Sequence, residues 1–153
     1  MTDRIETCDF DPNDVRLQFE REIPSTIEAA ESVINDAMSL VRRTETGRQY
    51  EHEIELALRE AVANAIMHGN RSDPSKRVHV CCACDSHDRI FIIVQDEGTG
   101  FEPHALQDPT RSENLLATHG RGIFMINQLM DRVQFDKGGR EIRMVKAPPP
   151  KDP

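Results

Sequence analysis

The sequence predicts an α+β fold, a two-layer sandwich with helices on one face of a mixed sheet. Runs of apolar residues alternating with polar ones occur early, in the middle and late in the chain. Two longer stretches repeat apolar residues at helical spacing. The strands come in pairs with helices between them, and the absence of alternating βαβ units counts against a doubly wound dinucleotide-binding sheet.

A length of 153 residues fits a single domain over 1–153, large enough to bury a core without disulfides or structural metal. The ordered core is expected over about 14–146. Val15, Leu17, Phe19 and Ile23 alternate with polar residues and read as a half-buried strand that Pro24 ends. Ser25 with Glu28 has the form of a capping box. The helix behind it carries Ile27, Ala30, Ile34, Ala37, Met38 and Val41 on one stripe. Gly47 falls in a polar connection, and a second helix is predicted from about Gln49 to His68, with Ile54, Ala57, Leu58, Ala61 and Ala65 inward. Gly69 is its stop. Arg77–Cys84 and Arg89–Gln95 form a hairpin about the turn 85–88. From 102 to 121 periodicity is lost, and so long a connection signals a lid. A last helix carries Ile123, Phe124, Ile126 and Met130. Val133–Phe135 and Glu141–Val145 flank a second turn at Lys137-Gly138-Gly139, and the Pro-rich tail 147–153 is expected to be disordered.

A net charge of -8 excludes a sequence-independent nucleic-acid binder, which needs a basic face. It also means that a polyphosphate must be held by local devices, a cation or a helix N-terminus, against the overall field. No apolar run approaches the roughly 20 residues of a membrane span, and residues 1–10 lack the apolar centre of a signal peptide, so a cytoplasmic location is expected. Cys81, Cys82 and Cys84 read as buried thiols. A zinc site from His79, Cys82 and Cys84 is the weaker reading, because no second ligand pair stands at zinc spacing. The glycosylation sequon Asn70-Arg71-Ser72 reads as a chance match.

Three segments carry chemistry. Glu60 and Asn64 stand four residues apart on one helical face, with His68 continuing the row along the edge of the apolar stripe. Taken alone this is a solvated helix edge. Asp96-Glu97-Gly98-Thr99-Gly100-Phe101 follows an apolar strand directly. That places a carboxylate at a strand end, able to accept from an exocyclic amine, with glycines that allow close backbone approach. Gly120-Arg121-Gly122-Ile123 opens the last helix, where free N–H groups and the helix dipole favour an anion and Arg121 adds charge-assisted bonds. There is no Walker lysine motif.

In this order, Glu-x-x-x-Asn, Asp-x-Gly-x-Gly, lid and Gly-x-Gly resemble the Bergerat-type ATPase fold of gyrases and histidine kinases (GHKL). Residues 60–69, 96–103 and 120–131 are similar to the anti-sigma factor serine/threonine kinases, with likeness over roughly 15–146. The resemblance implies Glu60 as general base toward a protein hydroxyl and Asn64 as Mg²⁺ ligand. It implies Asp96 as the adenine-reading carboxylate, with Gly98 and Gly100 in the turn beneath the nucleotide. Gly120 and Gly122 would form the lid-to-helix hinge at the phosphates. His68, Phe101, Arg121 and Ile123 belong to the same nucleotide-binding set. Where the family usually has a threonine near that carboxylate, this chain has Arg140.

The implied activity is that of a Mg-ATP-dependent protein serine/threonine kinase and anti-sigma factor, with ADP as product. It would phosphorylate an antagonist of the sulfate-transporter/antagonist (STAS) class, sequester a sigma factor and form a homodimer, without direct nucleic-acid or membrane contact. The alternative is a nucleotide-dependent binding module without kinase activity, regulating a non-sigma partner. The catalytic half of a histidine kinase is discounted, because no helical hairpin bears a phosphoacceptor histidine.

Overall fold

A computed structural model of the chain describes residues 12–99 and 118–150. A single 3₁₀ turn leads into β1 (Val15–Pro24). Then follow α1 (Ile27–Val41), a short α2 (Glu45–Gln49) and α3 (Glu51–Asn64), which runs on as a π-helical turn at Ala65–Gly69. The hairpin β2 (Arg77–Asp85) and β3 (Ile90–Gln95) comes next, then α4 (Thr118–Leu129), β4 (Arg132–Asp136) and β5 (Glu141–Lys146).

The sheet order is β1-β2-β3-β5-β4, and each of these pairs is antiparallel. The α+β sandwich is as the sequence predicts, but the sheet is antiparallel rather than mixed. The reason lies in the connections. Two long helices bring the chain back from β1 to β2, so the strands run in opposite senses. β3 and β4, joined through α4, would be parallel neighbours had β5 not inserted between them.

Register fixes which side chains face the helices. Val78, Val80, Cys82 and Cys84 of β2, Ile90, Ile92 and Val94 of β3, and Ile142 and Met144 of β5 join one core. From the helical layer that core takes Val33, Ile34, Ala37, Met38 and Val41, then Ile54, Leu58 and Val62, and finally Ile126. On the other face of the sheet Ala83 and Phe91 form a small separate cluster with Val15 and Val145. Arg21, the one break in the alternation of β1, stays on the helix side by pairing with Asp36 of α1 and lying over the Phe19 ring.

Several local expectations change. The cap of α1 is Thr26, whose hydroxyl accepts from Ala29 N at 3.2 Å, not Ser25. Ser25 is engaged elsewhere: its hydroxyl donates to Lys76 O at 2.9 Å and accepts from the Asn70 amide at 2.8 Å. Gly47 lies inside α2, where an added Cβ would come 1.8 Å from Val41 O. The long helix starts at Glu51 rather than about Gln49, and its last turn widens to the π form. The last helix begins at Thr118, so residues 118–121 of the expected lid are helical. Residues 102–117 of that lid lie outside the described residues. Of the expected tail, 147–150 has no regular secondary structure and 151–153 lies outside the description.

Cys81, Cys82 and Cys84 are buried. His79 and Cys82 sit an odd number of residues apart on one strand and point to opposite faces, so they do not converge on a zinc ion. Burial pushes the Cys82 thiol far above its ordinary range and the Cys84 thiol to about 11, which leaves both protonated. Asn70 is fully buried, which disposes of the glycosylation sequon.

Candidate nucleotide site

A cavity of about 390 Å³ opens where the end of α3, the ends of β3 and β5 and the start of α4 meet. Its size suits a small ligand. Ala61, Ala65, Val94, Ile123, Phe135 and Ile142 give it apolar walls; Asn64, His68, Asp96, Thr99, Arg71 and Arg140 add polar groups.

The end of α3 shapes one side. The π turn carries Asn70 N to Ala65 O at 2.8 Å and wraps Gly69 against the sheet. Such single π turns recur at functional sites because they shift side chains around the helix axis. Arg71 and Ser72 follow with φ of 53° and 57°, a left-handed pair of non-glycine residues that ends the helix sharply beside the cavity.

Asp96 sits one residue past the paired end of β3 and is 8% exposed. Its backbone N–H donates to Arg140 O at 2.9 Å, and its Oδ1 accepts from Gly98 N at 2.7 Å. Burial raises its carboxyl pKa, opposed by the Gly98 N–H and by the positive charges of Arg140 and Lys76. Glycine is required on both sides of it. A Cβ on Gly69 would stand 2.3 Å from the Asp96 carboxylate, and one on Gly98 would stand 2.0 Å from Gly69 O.

Glu60 and Asn64 meet α4 at its first turns. A Cβ on Gly122 would lie 2.3 Å from Glu60 Oε2 and 3.4 Å from Asn64 Nδ2, so the helix backbone touches both. Gly120 and Arg121 lie in that same turn, inside the helix and not ahead of it. Its opening residues offer N–H groups without an intrahelical acceptor.

The structure therefore brings Asn64, His68, Asp96 and Ile123 into one cavity, with Gly98 beneath Asp96 and with Gly122 and Glu60 at the Asn64 end. Gly100 and Phe101 lie outside the described residues. Sequence reasoning missed Asn70, which ties the site together: its Nδ2 donates to Ser25 Oγ and to Arg77 O at 2.9 Å, and its Oδ1 accepts from Glu97 N at 2.8 Å. Glu97 in turn accepts from Arg77 N at 2.6 Å. An asparagine beside a helix-ending glycine is the available signal, and the chance sequon masks it. Gly69 ends the π turn as expected, and its contact with Asp96 gives a second reason for glycine there. Among the described residues the one cluster of metal-ligating type is Asp14, Asp85 and His87, away from this cavity, and Arg89 already occupies Asp85.

A family described as histidine kinase-like ATPase domain matches residues 23–146. The chain is 33% identical over 94 residues to serine-protein kinase RsbW of Bacillus licheniformis, covering 56% of this chain and 58% of that protein. It is 33% identical over 84 residues to anti-sigma F factor of Oceanobacillus iheyensis, covering 54% of this chain and 57% of that protein. The chain thus spans a little over half the length of these two relatives. Against serine-protein kinase RsbW of Staphylococcus epidermidis it is 30% identical over 124 residues, 71% of this chain and 78% of that one. A crystal structure of the RsbU and RsbW domains of a Mycobacterium tuberculosis protein matches 85% of this chain and 31% of its own with a TM-score of 0.58. At 18% identity that likeness shows the fold alone.

Proposed function

From the premise that this chain belongs to the histidine kinase-like ATPase domain family, in its anti-sigma factor kinase branch, we propose that it is a Mg-ATP-dependent protein serine/threonine kinase. It phosphorylates an anti-anti-sigma antagonist of the STAS class and holds a sigma factor inactive, acting as a homodimer in the cytoplasm. Among the described residues no helix is long and apolar enough to cross a membrane.

The observation that carries the proposal is the convergence of Asn64, Asp96 and the start of α4 on one cavity. Asp96, ionised, accepts from the exocyclic amine of adenine while the apolar walls hold the ring. Asn64 supplies an amide and Glu60 a carboxylate against the same glycine, Gly122, oxygen donors of the kind that fit Mg²⁺, since that ion keeps several waters and takes further ligands from phosphates. Bound there, Mg²⁺ would neutralise the charge that develops on the phosphates. Glu60, half-buried against Gly122, is the group to take the proton from the attacking hydroxyl. The start of α4 would offer its N–H groups to the phosphates. Positioning and electrostatics supply most of the rate enhancement in phosphoryl transfer, so this sparse set suffices.

Incubation of the chain with labelled ATP and a STAS-class antagonist tests the proposal. Label on the antagonist with the wild type, and none with Glu60→Gln although ADP still binds, is the expected result. Transfer by Glu60→Gln at the wild-type rate refutes the base assignment. A tight complex that never acquires label leaves the chain a nucleotide-dependent binding module.

A further inference from the structure

Asp96 and Arg140 face each other just beyond the last paired residues of β3 and β5, Gln95 and Glu141. Their main chains join through Asp96 N–H to Arg140 O at 2.9 Å, and both side chains line the same cavity. Their hydrogen-bonding capacities are complementary and only partly spent. Asp96 uses Oδ1 for the Gly98 N–H. Arg140 uses Nε for Lys137 O at 3.1 Å, which anchors the guanidinium at the rim. Among the described residues the two form no ion pair, and the terminal nitrogens of Arg140 have no partner.

Resting on the nucleotide reading above, we propose that Arg140 is a specificity-determining residue. Its guanidinium places donors beside the Asp96 acceptor, so the pocket takes guanine as well as adenine nucleotides. Adenine presents the N7 acceptor next to the N6 donor. Guanine presents the O6 acceptor next to the N1 donor. A carboxylate placed for the adenine amine meets O6 of guanine in the same pose and repels it. Arginine carries donors only, in a planar fork, and is always charged. Beside the carboxylate it turns the O6 repulsion into a charge-assisted bond. The donor-acceptor pair then reads either purine, with the ring shifted by one edge position.

Calorimetric titration of the whole chain with Mg-ADP and with Mg-GDP, for wild type and Arg140→Thr, tests this. The main-chain carbonyl of residue 140 still serves Asp96 in the variant, and an unchanged melting temperature verifies that the fold is kept. The wild type is expected to bind the two nucleotides within about tenfold of each other. Arg140→Thr is expected to raise the GDP-to-ADP ratio of Kd by about 10- to 100-fold, the loss of one bond to a charged donor. ADP binding together with a wild type that rejects GDP, or with a ratio that Arg140→Thr does not move, overturns the role of Arg140 and leaves the nucleotide pocket standing. Absence of heat with both nucleotides overturns the pocket and this inference together.

Discussion

Replacing Gly69 by alanine is a direct probe of the packing that holds the candidate base-reading carboxylate. The new methyl would stand 2.3 Å from Asp96 Cγ and Oδ2 and 2.7 Å from Oδ1. Gly69 does not have a left-handed φ, so the only cost is space. Two escapes exist. The carboxylate can turn, losing the 2.7 Å bond from Gly98 N, at about 1.5–3 kcal/mol for a bond to a charged group. Otherwise the π turn can back away, at the about 1–3 kcal/mol typical of overpacking. The cheaper path sets the penalty near about 2 kcal/mol, which lowers the melting temperature of a chain this size by about 4–8 °C. Calorimetric melting of Gly69→Ala, Asp96→Ala and the double variant isolates the cause. If the methyl collides with this carboxylate, most of the Gly69→Ala penalty vanishes in the Asp96→Ala background. A penalty of equal size in both backgrounds refutes the reasoning.

Other consequences follow from the same geometry. Asn70→Ala strands the Ser25, Arg77 and Glu97 partners of a buried side chain and should cost about 3 kcal/mol, read as a lower denaturant midpoint at unchanged slope. Because burial raises the Asp96 pKa, ADP affinity should fall on acidification from above the ordinary carboxylate range, as the acceptor is protonated, and calorimetric titration across pH checks this. The stability term has the opposite sense: it is full below the unfolded pKa and is lost as pH rises through the raised folded value. Asp96→Asn should therefore abolish ADP binding without lowering the neutral-pH melting temperature. Gly122→Ala places a methyl 2.3 Å from the flexible end of Glu60 while gaining about 1 kcal/mol of helix propensity. It should keep the fold and slow single-turnover transfer to the antagonist by about 100-fold.

The fold was legible wherever periodicity was strong. The buried stripe Ile54, Ala57, Leu58, Ala61 and Ala65, and the alternation of β1, are local patterns with one physical solution each. Sheet direction was less legible, because the insertion of β5 between β3 and β4 is a tertiary choice that no local pattern records. Asn64 and Asp96 could be read because a spacing and a strand end place them. Asn70 could not, since its three partners come from three distant segments and only folding brings them together. Ser25 illustrates the same limit: its local preference for capping yields to the Asn70 amide, and Thr26 caps in its place. The start of α4 is less legible because Gly120 and Gly122 read as the hinge from lid to helix, whereas contact with Glu60 and Asn64 favours a glycine at 122 inside the helix.

Titration of labelled protein with Mg-ADP, followed by backbone amide chemical shifts, tests the shared pocket most directly. The account predicts that resonances of 64–69, 96–98, 122–123 and 139–142 move together along one saturation curve. Shifts confined to one of these segments, or no shifts at all, would contradict it.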